Sequence, residues 1–233
     1  MYKLHFVNGR SLIIDLHLNG KTVVIVGAGN EALKRIKLLE NEKNCDIHVV
    51  GENPHPTIEK LAKQKKIRLK KIKLTSPDFL KDFKAFPNLF LIIAATSNSK
   101  LNTKIVNKAI KMKVLAYASD SPRYSNISYL SLIDIKRTIK VGISTGGASP
   151  IMAKKIKSKT KKLLEEAITE NDIELIKIQK FAREHSKTFI TTQNERKKFL
   201  YTLMDDKRVK ELLKDGKYKA IQTRIKKMVK DWE

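Results

Sequence analysis

The sequence has little cysteine, few aromatic residues and no long apolar run. Its single cysteine, Cys45, excludes an internal disulfide framework and a cysteine-rich metal site, and its place at the start of a predicted strand favours a buried structural thiol. No apolar run approaches the ~20 residues that cross a bilayer. Residues 1–16 lack the cleavage site and the apolar block of a signal peptide. These absences predict a cytoplasmic protein with no membrane partner.

Acidic residues are also scarce, since 49 Lys and Arg face 24 Asp and Glu for a net charge of +25. Such a protein attracts polyanions, whether nucleic acid, an anionic membrane or a polycarboxylate substrate. The lysines are spread along the chain, however, and aromatics are only 6% of it, so stacking platforms for single strands are few. We therefore expect no nucleic-acid partner. The five histidines show no ligand spacing, so we expect no resident metal.

The stretch KTVVIVGAGNEALKRIKLL, residues 21–39, predicts a strand, a glycine turn and a helix in that order. Thr22–Val26 is a short β-branched run, typical of a strand buried on both faces of a parallel sheet. Gly27 permits the tight turn, Gly29 lets the backbone approach a pyrophosphate, and the small Ala32 lets helix and strand pack closely. We predict dinucleotide binding at the helix N-terminus. The open alternative is a tight turn that holds no ligand.

An acidic residue follows the next predicted strand, residues 46–50. Glu52 lies about 20 residues after the glycines, where a dinucleotide fold places the acid that holds the adenosine ribose. A carboxylate there favours NAD over NADP because it would repel a 2′-phosphate. The open alternative is an ordinary loop acid. The predicted cofactor-binding residues are Gly27, Gly29, Asn30, Glu31, Glu52, Asn53, Ala95, Thr96 and Ser97.

Strands and helices alternate over residues 1–116, which predicts an α/β domain with a Rossmann-like parallel sheet. Ligands of such sheets bind beyond the carboxyl ends of the strands. Ala95, Thr96 and Ser97 follow a predicted strand, so they should flank the cofactor. The other predicted elements are strands over 11–16, 67–74, 89–95 and 114–116, and helices over 31–43, 56–66 and 101–112.

The pattern changes after this domain. Residues 127–133 and 138–144 are β-prone with no helix between them, so we predict a small β-rich dimerisation segment over 117–148, paired with its copy in a second subunit. Ser149 and Pro150 are typical of a helix start. Apolar residues at three- and four-residue spacing then predict an all-helical C-terminal domain over 149–233.

Four stretches carry a resemblance to a known family: IIDLHLNGKTVVIVGAGNEALKRIKLL, LIIAATSNSKLN, YASDSP and ISTGGASPIMAKKIK. In this order and spacing they resemble the precorrin-2 dehydrogenase / sirohydrochlorin ferrochelatase family, the siroheme synthase N-terminal type. The chain departs from the family's motifs where Ser97 and Asn98 replace an acidic pair, where Tyr117 replaces asparagine and where Lys154 replaces arginine. These departures concern details of cofactor and substrate contact, not the class.

The resemblance implies NAD-dependent oxidation of precorrin-2 to sirohydrochlorin. It implies Asp120 as the catalytic acid/base, which could accept a proton from the macrocycle, or from a pyrrole N–H if iron is inserted. The residues alone favour an Asx-turn of Asp120 before Pro122, since Asp-Ser-Pro is a common turn sequence. Whether the protein is also a ferrochelatase stays open.

A tetrapyrrole polycarboxylate would account for part of the basic charge. The candidate substrate-binding residues are Arg123, Thr145, Gly146 and Ser149, of which the last three could cradle a carboxylate at a helix start. Their alternative role is a well-capped helix. A rival function of another class is an NAD-sensing regulatory module whose basic helical tail docks nucleic acid.

Overall fold

The first part of the chain is built on a five-stranded parallel sheet. The computed structural model describes residues 12–40, 42, 44–73, 86–120 and 122–232, and it divides the chain into two compact units, Met1–Tyr129 and Leu130–Glu233. The predicted three-part domain division stays a prediction.

The strands of the first unit are β1 (Thr22–Val26), β2 (Asp46–Gly51), β3 (Arg68–Lys71), β4 (Leu89–Ala94) and β5 (Leu115–Ala118), and its helices are α1 (Asn30–Leu39), α2 (Pro56–Lys63) and α3 (Ser99–Lys111). In the sheet the strands lie in the order β3-β2-β1-β4-β5.

The central strand β1 is buried along its whole length. Val23 and Ile25 point into the core that α1 and α2 cover, and Val24 and Val26 point into the core that α3 covers. A strand with helices on both faces must be apolar at successive positions, which is why its sequence does not alternate. The predicted Rossmann-like sheet is confirmed.

The predicted strand over residues 11–16 is wrong for the residues that the structure describes. Residues 12–16 have no regular structure, and Leu12 is 84% exposed. Apolar residues alone do not hold a strand, and no described strand pairs with this segment. Residue 11 lies outside the described residues.

Other predicted boundaries move by a few residues. The predicted helix over 56–66 ends at Lys63, where the chain turns and Lys65 takes a positive φ of 58°. The predicted helix over 31–43 ends at Leu39, and the predicted strand over 67–74 shrinks to β3. Residues 41, 43 and 74 of these predictions lie outside the described residues.

Cys45 lies just before β2 and is half-buried against the core of α1 and α2. Burial, with smaller contributions from Glu42 and Asp46, raises the pKa of its thiol to about 11. The thiol therefore stays protonated at neutral pH, as the predicted structural role requires.

The second unit opens with an antiparallel hairpin and continues as helices. The two strands form a sheet of their own, and the helix that follows them, α4 (Pro150–Ala167), packs on the hairpin. The four helices that follow enclose a separate apolar core around Phe199 and Ile221. Its elements are β6 (Ser131–Ile135), β7 (Ile139–Ile143), α4 (Pro150–Ala167), α5 (Glu170–Ser186), α6 (Gln193–Asp205), α7 (Lys207–Lys214) and α8 (Tyr218–Lys230).

Gly27 lets the chain turn directly against the end of β4. Its φ is +112°, and a Cβ on it would lie 2.3 Å from the carbonyl oxygen of Ala95. Backbone fills the space that a side chain would need, so no other residue fits without moving two strand ends apart.

We predict that Gly27→Ala destabilises the protein by about 2 kcal/mol more than Gly20→Ala. Both glycines have positive φ, so each substitution costs about 1–2 kcal/mol of backbone strain. Only at Gly27 does the new methyl group collide with backbone, since a Cβ on Gly20 meets nothing within 4 Å. Urea unfolding of the two variants measures the difference. Equal losses would contradict the close approach of Gly27 to Ala95.

Asp206 joins two helices of the second unit. Its Oδ1 accepts a hydrogen bond from the Val209 N–H at 2.8 Å, which caps α7, and both oxygens accept from Arg224 of α8 at 2.9 and 2.5 Å. Hydrogen bonding from Arg224 is the main cause that holds the pKa of Asp206 below its usual range, against a smaller effect of burial. The ionised form is therefore the one that stabilises the fold.

We predict that Asp206→Asn lowers the free energy of unfolding by about 1–3 kcal/mol at pH 7. A lowered pKa contributes stability above the ordinary carboxyl pKa of about 4 and loses it as the pH falls through the native value. The difference between variant and wild type should therefore shrink in acid. The control Asp205→Asn removes a carboxylate that is 86% exposed and should change stability by less than about 0.5 kcal/mol. A pH-independent difference would contradict this account.

Candidate active site

The turn between β1 and α1 leaves open space beside a helix N-terminus. Gly29 is the N-cap of α1, which has no side-chain cap, and a Cβ on Gly29 would meet nothing within 4 Å. The backbone N–H groups of the first helical turn, at Asn30, Glu31 and Ala32, have no partner within the helix. Backbone donors beside open space suit a phosphate, so these residues fit the predicted cofactor.

The Glu31 carboxylate is engaged within its own helix. It accepts hydrogen bonds from Lys34 at 3.0 Å and from Arg35 at 2.5 Å. Partial burial raises the pKa of Glu31, but the hydrogen bonds and charges of Lys34 and Arg35 together lower it more, so the net shift is downward. At this position the backbone N–H, rather than the side chain, is therefore the group that can face a phosphate.

The end of β2 packs against the glycine turn. The Gly27 N–H donates to the Val50 carbonyl at 2.8 Å, and a Cβ on Gly51 would lie 2.8 Å from the Cβ of Ala28. Glu52 and Asn53 follow directly and are exposed. The structure thus places the predicted ribose acid beside the turn that the cofactor would occupy.

The end of β4 carries a polar network centred on Asn102, a residue of α3 with no exposed surface. Asn102 Oδ1 accepts from the Thr96 N–H at 3.1 Å and from the Thr96 hydroxyl at 2.6 Å. Its Nδ2 donates to the Thr96 carbonyl at 3.0 Å and to Asp120 Oδ1 at 3.1 Å. Ser97 follows Thr96 and is exposed. One buried amide therefore joins the carboxyl ends of β4 and β5.

Asp120 is exposed and lies just after β5. The Ser119 N–H donates to the Ala94 carbonyl at 3.0 Å, which ties this loop to the end of β4. The Ala95 N–H donates to the Val26 carbonyl at 2.7 Å, and β1 leads into the glycine turn. The structure thus brings the predicted catalytic carboxylate and the predicted cofactor residues to one edge of the sheet.

Asn102 is a site residue that was not identified from the sequence. It lies on the helix face that Leu101, Ile105 and Ala109 bury. A polar residue on an otherwise apolar face is a signal that a buried hydrogen-bond partner is needed. The helical pattern thus indicates that the Asn102 amide has a hydrogen-bond partner, but it does not indicate which residue that partner is.

The segment after Asp120 folds back along the outer edge of β5. Asn126 and Ser125 side chains accept from the N–H groups of Ala116 and Ala118, at 2.7 and 2.9 Å. These bonds occupy an edge that would otherwise be unpaired. Arg123 lies in the short 3-10 turn of this segment, is exposed, and stacks over Tyr124 at 4.8 Å.

An arginine between two tyrosines anchors the same segment to α1. The Arg35 guanidinium lies 4.9 Å from the ring centre of Tyr117 and 4.5 Å from that of Tyr129. Burial raises the pKa of Tyr129 to about 12, although Arg35 acts in the opposite direction. The Tyr129 ring therefore remains neutral at physiological pH, and the rings of Tyr117 and Tyr129 both offer π faces to the cation. Sequence analysis did not identify this cluster, because its members are distant in the chain.

The predicted carboxylate cradle of the second unit is a capped turn. Ser149 Oγ accepts from the Met152 N–H at 3.2 Å, which confirms Ser149 as the N-cap of α4. Thr145 Oγ1 accepts from the Ser149 N–H at 3.2 Å, and Gly146 takes a positive φ of 61°. The binding of a substrate carboxylate by Thr145, Gly146 and Ser149 stays a prediction.

Within the described ranges, no helix combines the length and the apolar composition that crossing a membrane requires. Nor do the described side chains include three or more His, Cys, Asp or Glu residues grouped as a metal site.

Comparison with known proteins identifies the family to which the chain is similar. Residues 14–131 match the family model described as "Putative NAD(P)-binding". The chain is 32% identical over 154 residues to the precorrin-2 dehydrogenase of Bacillus subtilis (strain 168). The aligned region covers 66% of this chain and 89% of that protein. It is 26% identical over 156 residues to the siroheme synthase of Nitrosococcus oceani, of which it covers only 31%. The solved structure of SirC, a precorrin-2 dehydrogenase, shares the fold with a TM-score of 0.67 at 22% identity, over 95% of this chain and 100% of that one.

Proposed function

The chain belongs to the precorrin-2 dehydrogenase family, and from this premise we propose that it oxidises precorrin-2 to sirohydrochlorin, with NAD as the hydride acceptor, in siroheme synthesis. The observation that carries the proposal is the open glycine turn and the anchored Asp120 carboxylate at one edge of the sheet. The family expected from the sequence is confirmed, and the regulatory nucleic-acid-binding alternative finds no support among the relatives.

The chain's own residues would hold the cofactor by its phosphates and its ribose. The N–H groups of Asn30 and Glu31 would donate to the pyrophosphate, with Gly29 leaving room for it. Glu52 would accept from the adenosine ribose and would disfavour the 2′-phosphate of NADP. When bound, NAD supplies the oxidising equivalent because its nicotinamide accepts a hydride. The residues Asn53, Ala95, Thr96 and Ser97 would flank it.

Asp120 is the proposed acid/base. Its carboxylate is exposed, so a macrocycle can reach it, and one of its oxygens is held by Asn102. It would accept the proton that leaves the macrocycle when the hydride departs. Insertion of ferrous iron as a second substrate would release pyrrole protons to the same group, so the chelatase activity stays a prediction.

The substrate's carboxylates would bind to basic and backbone groups. Arg123 offers an exposed guanidinium in the segment after Asp120. In the second unit, Thr145, Gly146 and Ser149 form the turn at the start of α4, where backbone N–H groups and the helix dipole favour anions. The cytoplasmic location and the absence of nucleic-acid and membrane partners stay predictions.

We predict that anaerobic incubation with precorrin-2 and NAD yields sirohydrochlorin, with NADP the poorer oxidant. Asp120→Asn should lower kcat by about 10²–10⁴-fold, because an amide cannot accept the proton. Absorbance of sirohydrochlorin and of NADH gives both rates. Addition of ferrous iron then tests chelation.

The matched control is Asp205→Asn, an exposed aspartate of the helical unit, which should leave turnover unchanged. Turnover without any nicotinamide cofactor, or equal rates for Asp120→Asn and wild type, would refute the proposal.

A homodimer through the second unit forms part of the proposal. The hairpin of β6 and β7 is a two-stranded sheet, which is marginal when alone. On α4, Met152, Ile156 and Leu163 are exposed and lie within about 40° of one another around the helix axis. Open strand edges and an apolar helix face in one unit favour a second copy of this chain as the cover.

We predict a dimer at micromolar concentration by light scattering, and a monomer for Ile156→Glu/Leu163→Glu. Two carboxylates on the apolar face of α4 would be desolvated without partners in the dimer. The control is Tyr201→Glu on α6, an apolar side chain as exposed as Leu163, which should leave the dimer intact. A monomeric wild type, or equal dissociation of both variants, would contradict this interface.

A further inference from the structure

We propose that Asn102 is the positioning residue of the reaction: it holds Asp120 through Oδ1, so that Oδ2 is the atom that receives the proton. The inference rests on the proposed function for the role of Asp120. The contact that carries it is the 3.1 Å hydrogen bond from Asn102 Nδ2 to Asp120 Oδ1.

The orientation of the Asn102 amide is fixed by its neighbour. The Thr96 N–H can only donate and therefore requires Oδ1, whereas the Thr96 carbonyl can only accept and therefore requires Nδ2. A flipped amide would set donor against donor and acceptor against acceptor. The group that faces Asp120 is consequently an N–H donor, and Asp120 must accept through an unprotonated oxygen.

The hydrogen-bonding capacity of Asn102 is used completely. Oδ1 accepts twice from Thr96, and one Nδ2 hydrogen goes to the Thr96 carbonyl. The second hydrogen has Asp120 as its partner. Asn102 has no exposed surface, so without Asp120 this buried donor would lose its protein partner at an energetic cost.

These contacts have two chemical consequences. A hydrogen bond donated to a carboxylate favours its ionised form, which is the form that accepts a proton. An amide has no titrating proton of its own and cannot compete for the one in transit. Asn102 would therefore fix the rotation of the carboxylate and leave Oδ2 as its reactive oxygen.

The first test needs no substitution at Asn102. In wild-type protein without cofactor, the 15N and 1H signals of the Asn102 side-chain amide should shift with pH along the titration of the Asp120 carboxyl, followed by 13C NMR. In Asp120→Asn the same signals should be constant over that range. If the Asn102 amide signals of wild type stay constant while the Asp120 carboxyl is protonated, the proposal is overturned.

The second test separates kcat from KM in sirohydrochlorin formation. In Asn102→Ala, kcat should fall by about tenfold while KM for NAD and for precorrin-2 stays near the wild-type value, because Asp120 keeps its oxygens but loses the contact that fixes its rotation. In Asn102→Asp, kcat should fall further, since a carboxylate in place of the amide removes the donor and adds a like charge beside Asp120. A kcat equal to that of wild type in both variants would mean a structural role only, and would overturn the proposal.

The control is Thr22→Val, at the opposite edge of the sheet. Thr22 is buried, and its hydroxyl donates to the Pro87 carbonyl at 2.6 Å, so the variant also loses a buried hydrogen bond. It should lower stability without lowering kcat. The two proposals can fail separately. If the 13C chemical shift of the Asp120 carboxyl differs between the Asn102 variants and wild type, but wild type makes no sirohydrochlorin, the contact is supported and the reaction assigned to it is refuted.

Discussion

The close approach of Gly27 to the Ala95 carbonyl is the constraint on which the site depends. A Cβ at this position would lie 2.3 Å from the oxygen, so only a residue without one lets the end of β1 lie against the end of β4. The glycine turn on one strand and the Thr96–Asn102–Asp120 network beside the other are thereby held at one edge of the sheet. The proposed cofactor on the turn and the proposed proton acceptor beyond β5 would then be neighbours through backbone packing rather than through any direct bond.

Two different kinds of contact hold the two parts of this edge: backbone packing at the glycine turn and a side-chain hydrogen bond at Asp120. The turn is held in place because the Gly27 backbone packs directly against the Ala95 backbone. The N–H groups at the start of α1 face open space because Gly29 carries no side chain and no side chain caps the helix. The carboxylate is held by a neutral amide, which orients it without adding a charge that would titrate with it. In the proposed site, cofactor binding would therefore rely on the absence of side chains at the turn, and proton transfer would rely on one buried side chain, Asn102.

The sequence was sufficient for the parts of the fold that local pattern determines. The apolar run of β1, the glycine turn and the spacing of α1 identify their own structures, because burial on both faces and a tight turn each demand specific residues. The segment from 12 to 16 shows the limit: its residues suit a strand, but a strand exists only with a partner, and none of the described strands pairs with it. Asn102 and Arg35 show the same limit for the site, since Asp120 lies 18 residues from Asn102 and Tyr117 lies 82 residues from Arg35. The sequence pattern indicates that a buried polar group needs a hydrogen-bond partner, but only the folded structure shows which residue that partner is.

The excess of basic residues acts at a different range from these contacts. Most ion pairs among the described residues are exposed, such as that of Lys198 with Glu195, and contribute little to stability. Because Lys and Arg outnumber Asp and Glu by 25, much of the positive charge has no acidic partner and contributes to a field that attracts polyanions. Such a field is screened over about 8 Å at physiological ionic strength, so it can bring a polycarboxylate to the surface but cannot orient it. Orientation must come from short contacts at fixed positions, which is why the proposed chemistry is assigned to the residues held at this edge of the sheet and not to the more numerous lysines.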